Sequence, residues 1–216
     1  MDGGTDERPL RADASLRERI RGNLARFERI ALQPESHRPA AVAIVIAATA
    51  DQQASFILTR RAAKLRAHAG QWALPGGRVD EGESTAEAAF RELTEEVGVD
   101  LPASALLGFL DDYRTRSGYV ITPVVLWSGE PAAMAPNPKE VAAAYNIPLA
   151  VLGHPQVPRL VRIPESDRPL IQVPIAELRV AVHAPTAAIL YQLWEVAVHG
   201  RPTRVAHYEQ PVFAWT

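Results

Sequence analysis

Glu92, Glu95 and Glu96 crowd the last two turns of a segment, Thr85 to Val97, whose ends carry the marks of a helix. Ser84 with Glu87 forms a capping box, and Gly98 stands where a left-handed residue ends a helix. Ala86, Ala89, Phe90, Leu93 and Val97 would then share the buried face. Glu92 and Glu96 stack on one side at its border, where like charges repel by about 0.2–0.5 kcal/mol per pair. The negative end of the helix dipole adds to that cost for Glu95 and Glu96. Arg91 is the one nearby cation in the helix, and one guanidinium cannot neutralise three carboxylates. A divalent metal can. Glutamates without His or Cys neighbours are hard oxygen ligands suited to Mg²⁺ or Mn²⁺ rather than Zn²⁺. Mg²⁺ is usually held by one or two carboxylates together with substrate phosphates, so the pattern calls for a small-molecule diphosphate. A metal there bridges phosphate oxygens and lowers the pKa of a bound water that attacks phosphorus.

The elements that must position these groups read as a mixed α/β domain. Residues 1–12 are short, polar and terminal, and are expected to be disordered. Ser15 and Glu18 read as a second capping box, opening a helix with Leu16, Ile20, Leu24, Phe27 and Ala31 at helical spacing. Its other face holds Arg17, Arg19, Arg21, Arg26 and Arg29, interrupted by Glu18 and Glu28, and reads as a solvated surface rather than a phosphate or membrane contact. A linker bracketed by Pro34 and Pro39 leads to strands at Ala41–Ile46 and Ser55–Thr59, an expected hairpin. Residues 60–77 show no period and end in Pro75-Gly76-Gly77, read as a loop. Further strands are expected at Leu106–Leu110, Tyr119–Trp127 and Val141–Ile147. The proline-broken region 148–180 reads as short edge strands and turns, and Thr186–Val198 as a final helix. The expected organisation is a disordered stretch over 1–12, an N-terminal helix and linker over 13–38, a catalytic domain over 39–200 and a C-terminal extension over 201–216.

Bulk properties narrow the function. A formal net charge of −2 lacks the broad basic surface of a general nucleic-acid binder. The chain has no cysteine, which excludes disulfides, thiolate metal sites and a cysteine nucleophile. The most apolar run, AVAIVIAATA at 41–50, is too short to span a bilayer, and the polar N-terminus is no signal peptide. These features predict a cytoplasmic protein with no nucleic-acid or membrane partner, and they are compatible with a homodimer.

Gly77, Glu83, Arg91-Glu92-Leu93, Glu95-Glu96 and Gly98-Val99 stand at the spacing of a complete Nudix box, and the chain resembles the Nudix hydrolases. The resemblance implies an α/β/α sandwich around a mixed sheet. It implies Glu92 and Glu96 as principal metal ligands, Glu95 as a further ligand or the group that orients water, and Arg91 paired with Glu83. It also implies that the main chain of Gly76 and Gly77 approaches the metal where a side chain could not. Glu140, in NPKEV, resembles a further family carboxylate that reaches the site from outside the box.

The substrate is read from the segment before the box. ILTRRAAKLRAHAGQWALPGG holds Arg60, Arg61, Lys64, Arg66 and His68 beside the expected metal loop. Cations beyond those a metal-bound diphosphate needs point either to a further anionic group, which arginine recognises bidentately, or equally to a solvated loop that an arginine fastens. The same segment is similar to the signature LLTxRSxxLRxHxGxVxFPGG of the coenzyme A pyrophosphatases within the Nudix family. Leu58, Thr59, Arg61, Leu65, Arg66, His68, Gly70, Pro75, Gly76 and Gly77 match, while Ile57, Ala62, Trp72 and Leu74 depart from it. The resemblance implies hydrolysis of coenzyme A or a derivative to 3′,5′-ADP and 4′-phosphopantetheine, with Arg61, Arg66, His68 and Gly76 at the substrate. A 3′-phosphate accounts for the surplus cations. The alternatives are a Nudix pyrophosphatase for ADP-ribose, NADH or a nucleoside triphosphate, and a non-catalytic ligand sensor on the same fold.

Overall fold

The computed structural model describes residues 10–33, 35–64 and 70–215. Helix α1 spans Ala14–Arg26, and strands β1 (Arg38–Ala48) and β2 (Ala54–Arg61) follow. Two short strands, β3 (Trp72–Ala73) and β4 (Gly76–Arg78), precede helix α2 (Thr85–Val97). Strands β5 (Leu106–Phe109), β6 (Tyr113–Arg114), β7 (Tyr119–Trp127) and β8 (Val141–Pro148) complete the main sheet. A second, three-stranded sheet holds β9 (Arg159–Ile163), β10 (Ser166–Ile175) and β11 (Val180–His183), and helix α3 (Thr186–Gln192) follows it.

The main sheet is mixed: β1 runs parallel to β7 from Arg38–Tyr119 to Ile46–Trp127, and antiparallel to β2 and β4. Side chains alternate along β1, so each face of the sheet meets a different layer. Ala41, Ala43, Val45 and Ala47 pack with Ala88, Ala89, Leu93 and Val97 of α2. Ile44, Ile46 and Ala48 pack with Leu16, Ile20 and Leu24 of α1 and Ile189, Leu190 and Leu193 from α3 and its continuation. Helices therefore cover both faces, giving an α/β/α sandwich. Among the described residues no helix is long and apolar enough to cross a membrane.

Helix α2 begins and ends where its caps place it. Ser84 accepts from the Glu87 backbone, Glu87 accepts from the Ser84 backbone, and Gly98 has φ of 71°. Its buried face differs in detail from the periodic reading: Ala88 and Glu96 are buried, whereas Ala86 and Phe90 are half-buried. Leu93 is fully enclosed, so its truncation to alanine costs about 2–5 kcal/mol.

Elsewhere the structure corrects several sequence readings. Asp13, not Ser15, caps α1, because its carboxylate accepts from Leu16 N at 2.9 Å. The helix stops at Arg26, leaving Arg29 and exposed Ala31 outside it. The arginine-rich face is occupied by local contacts: Arg21 meets Glu18 at 2.6 Å, and Arg26 donates to Asn23 at 2.7 Å. Pro34 and residues 1–9 lie outside the described residues, but residues 10–12 are ordered. Leu10 O accepts from Ala54 N at 2.6 Å and Ala12 N donates to Gln52 O at 3.1 Å. Pro39 belongs to β1, so the linker is shorter than its prolines suggest. Gly76 and Gly77 sit in β4, paired with Val42 and Ala41, rather than in a loop.

The proline-rich region also departs from expectation, since β10 is a ten-residue strand between β9 and β11. Its prolines fall where the ladders permit them. Pro169 lies in the break of register between Ser166 and Leu170, and Pro174 lies beyond the last pair with β9. After α3 the hydrogen bonds widen to a π pattern over Leu193–Val198, and nearly every side chain of this final helical segment is buried rather than one stripe. Residues 201–215 fold back on the domain. Arg204 bonds Asp111 at 2.6 Å, Arg116 bonds buried Glu209 at 2.6 Å, and Tyr113 Oη donates to Tyr208 O at 3.1 Å.

Candidate active site

Strand β4 and the last turns of α2 build the site together. Gly77 pairs with Ala41, whose side chain faces α2, so residue 77 points at the helix too. A Cβ built there would collide with the Glu92 carboxylate. A Cβ at Gly76 would collide with Ala41 O and Val42 Cα. The two glycines are therefore steric requirements of the close approach between strand and carboxylate.

Arg91 is the hub of the carboxylates on the exposed side. Its Nε donates to Glu83 Oε1 at 2.9 Å and its Nη2 to Glu83 Oε2 at 3.0 Å, a bidentate fork. Its Nη1 reaches Glu92 Oε1 at 2.9 Å and Glu95 Oε2 at 3.2 Å, while Nη2 also meets Arg78 O at 3.0 Å. The Arg91 fork holds Glu83 below the usual carboxylate range. Glu83 in turn accepts from Asp80 N at 3.0 Å, tying the loop before the helix to the helix itself.

Glu96 is the buried member, with its side chain 4% exposed. Gly76 N donates to its Oε2 at 3.1 Å, and Arg61 Nη1 approaches its Oε1 at 3.4 Å. Burial pushes its carboxyl up to about 7 despite these two partners, and the charges of Glu92 and Glu140 push the same way. Glu92 is also raised, first by burial and further by Glu95 and Glu140, against the pull of Arg91. Glu140 thus lies in the field of both carboxylates. Its backbone carbonyl accepts from Ala62 N at 2.8 Å, and its Oε1 from Asn137 Nδ2 at 3.4 Å.

The donor set fits a hard divalent cation on chemical grounds: all oxygen, desolvated and short of positive charge. Among the described residues no three His, Cys, Asp or Glu side chains already converge on one point. Arg61 and Arg91 stand on the carboxylates instead. The residues that would hold a cation are Glu92 and Glu96, with further oxygens left to a substrate phosphate and water.

Of the residues singled out in the sequence, Glu83, Arg91, Glu92, Glu95, Glu96, Gly76 and Arg61 are brought together by these contacts. Arg66 and His68 lie outside the described residues. A cleft of about 930 Å³ opens beside β4. Arg61, Gly76 and Gly77 line it, whereas the glutamates lie behind the glycine strand. Its floor carries Arg38, Tyr119 and Arg78, and its far wall Val180, His183, Ile189 and Phe213. The sequence reading missed this second group. The edge-to-face pair of His183 and Phe213, with centroids 5.5 Å apart, joins residues thirty positions apart in sequence. Burial holds the His183 imidazole below its ordinary pKa.

The site is thus a carboxylate-bearing helix end set against a glycine strand, in a mixed sheet between helical layers. The chain belongs to the NUDIX domain family, whose pattern matches residues 37–165. The uncharacterized Nudix hydrolase NudL of Shigella flexneri serotype 5b (strain 8401) is 38% identical over 136 residues, covering 61% of this chain and 70% of that protein. NudL of Escherichia coli (strain K12 / DH10B) is 39% identical over 120 residues, covering 55% of this chain and 62% of its own. Nudix hydrolase 3 of Caenorhabditis elegans is 36% identical over 105 residues, 47% of this chain and 44% of that protein. Among solved structures, the MutT protein from Methanosarcina mazei Go1 superposes with a TM-score of 0.44 at 24% identity, covering 61% of this chain and 87% of that one. The NUDIX domain of Shewanella oneidensis NrtR, complexed with ADP ribose, gives 0.44 at 25% identity, covering 62% and 86%.

Proposed function

We propose that this Nudix hydrolase cuts the diphosphate of coenzyme A or a close derivative, releasing 3′,5′-ADP and 4′-phosphopantetheine. The observation that carries the reading is a desolvated, cation-deficient carboxylate set separated by two glycines from a cleft of about 930 Å³. The signature at residues 57–77 supports the coenzyme A preference within that reading.

Glu92 and Glu96 would hold Mg²⁺ or Mn²⁺, which supplies charge neutralisation at phosphorus and a water of lowered pKa. Arg91 fixes Glu83 and aligns Glu92, so the carboxylates keep their places as the diphosphate arrives. Arg61, between Glu96 and the cleft, and the main chain of Gly76 meet the diphosphate, with Arg66 and His68 assigned to the substrate from the sequence. In the reaction a water oxygen bonds to phosphorus as the anhydride P–O bond breaks, and the proton passes to Glu95 or Glu140. The protein acts on a small molecule in the cytoplasm, without nucleic acid or membrane.

The test is a screen of diphosphates with purified protein and Mg²⁺ or Mn²⁺, products identified by mass spectrometry. Coenzyme A should be cut with the highest kcat/KM. Faster hydrolysis of ADP-ribose, NADH or a nucleoside triphosphate would overturn the substrate, and no turnover of any diphosphate would favour a ligand sensor.

A further inference from the structure

The cleft beside β4 contains no Asp or Glu among its described lining residues, yet Arg38, Arg61 and Arg78 all face it. That is unusual in a chain with 25 acidic residues and a formal charge of −2. Arg61 approaches Glu96 at 3.4 Å. Arg38 and Arg78 form no ion pair among the described residues. The Arg38 guanidinium lies over the Tyr119 ring, 4.3 Å from its centroid, and that of Arg78 lies 5.9 Å from the same centroid. Arg78 Nε and Nη2 both point at Tyr119 Oη, at 3.2 and 3.1 Å, a neutral oxygen that cancels no charge.

The sheet register accounts for the cluster. Arg38 pairs with Tyr119 across β1 and β7, and Ala40, two residues on, pairs with Arg78 of β4. All four side chains thus share one face, and all four residues line the cleft. Both residues are exposed, so water screens their mutual repulsion, and an anion placed between them would meet two guanidiniums at once. The geometry points to a phosphate monoester as that anion, bound between Arg38 and Arg78 with Tyr119 beneath it. Such a group carries close to two negative charges at neutral pH and presents the oxygens that guanidinium forks recognise. This deepens the proposed function and rests on it in one respect: in a coenzyme A substrate, the group so placed is the 3′-phosphate, which locates the extra anion at Arg38 and Arg78 rather than at Arg61.

The protein spanning residues 1–216, without added metal so that nothing turns over, is titrated calorimetrically with 3′,5′-ADP and with 5′-AMP. We expect 3′,5′-ADP to bind about tenfold or more tightly, as charge-assisted contacts to phosphate imply. R38A and R78A should each remove most of that preference, and R38K and R78K should keep part of it by retaining charge without the fork. Melting curves establish that each variant is folded, and where an alanine variant is not, its lysine counterpart carries the comparison. Equal wild-type affinity for the two nucleotides, or equal losses on both in the variants, overturns the subsite. The hydrolysis screen is read separately. Coenzyme A cut without a binding preference leaves the enzyme and removes the subsite, whereas preference without hydrolysis leaves the subsite and removes the enzyme reading.

Discussion

The Glu92 carboxylate occupies the space that a side chain at residue 77 would fill: a Cβ on Gly77 would come within 3 Å of every atom of that carboxyl group. Gly77→Ala therefore leaves the backbone of β4 in allowed space but drives Glu92 from its place. We expect kcat to fall tenfold or more at saturating Mg²⁺, with little change in Tm. Gly76→Ala differs in kind, because its Cβ meets backbone at Ala41 and Val42. It should lower Tm by several degrees as β4 parts from β1. Wild-type kinetics in Gly77→Ala would show that the position of Glu92 is immaterial to the reaction.

Glu96→Gln keeps the size of the side chain and the acceptor for Gly76 N while removing one buried charge. Turnover should drop at least a hundredfold, and the metal-free protein should melt no lower than wild type, since burial disfavours the charged carboxylate. Rates within a few-fold of wild type at saturating Mg²⁺ would remove Glu96 from the proposed set of metal ligands.

Arg91 and Glu83 form a bidentate pair and should act as one unit. Arg91→Ala and Glu83→Gln should each slow the enzyme, and the double variant should be little slower than Arg91→Ala alone. The double-mutant cycle reports the coupling directly. Additive losses in kcat would mean that Arg91 serves Glu92 and Glu95 independently of Glu83.

Glu209 carries the acid dependence of the C-terminal segment. Arg116, with help from Gln210 N and Ser166, holds its carboxyl down to about 2. A depressed folded-state pKa contributes stability above the unfolded value of about 4.3, and that contribution is lost as pH falls towards 2. Glu209→Gln should lower Tm at pH 7 and flatten the loss of stability between roughly pH 4.5 and pH 2. A wild-type and variant Tm difference that stays constant down to pH 2 would contradict the linkage.

The gathering of the carboxylates at the candidate site was legible because it is local. Caps at Ser84 and Gly98 mark α2, and the spacing of Glu92 and Glu96 sets both on one side of it. Strands β1, β2, β7 and β8 were legible from their apolar runs, β7 to the residue, whereas prolines hid the ten-residue β10. Short strands were not: β3 and β4 hold two and three residues, too few to show a period, and glycine gives β4 no pattern at all. Asp13 as a cap was hidden by the competing Ser15, since both types accept from a helix N-terminus. The cleft was invisible for a different reason. Arg38 and Tyr119 meet through parallel pairing of strands separated by more than seventy residues, and no local signal announces such a register.

The family pattern ends at residue 165, yet the far wall of the cleft is drawn from residues 180–214. The cleft is thus drawn from both sides of that boundary, with Arg38, Arg61, Arg78 and Tyr119 inside the matched stretch and Val180, Ile189 and Phe213 beyond it. Substitutions at Val180, Ile189 or Phe213 can reshape what the cleft admits while the carboxylate helix is inherited intact. The freedom is confined to side chains that face the cleft, because Ile171, Val173, Leu190 and Leu193 from the same stretch are built into the core shared with α1 and β1.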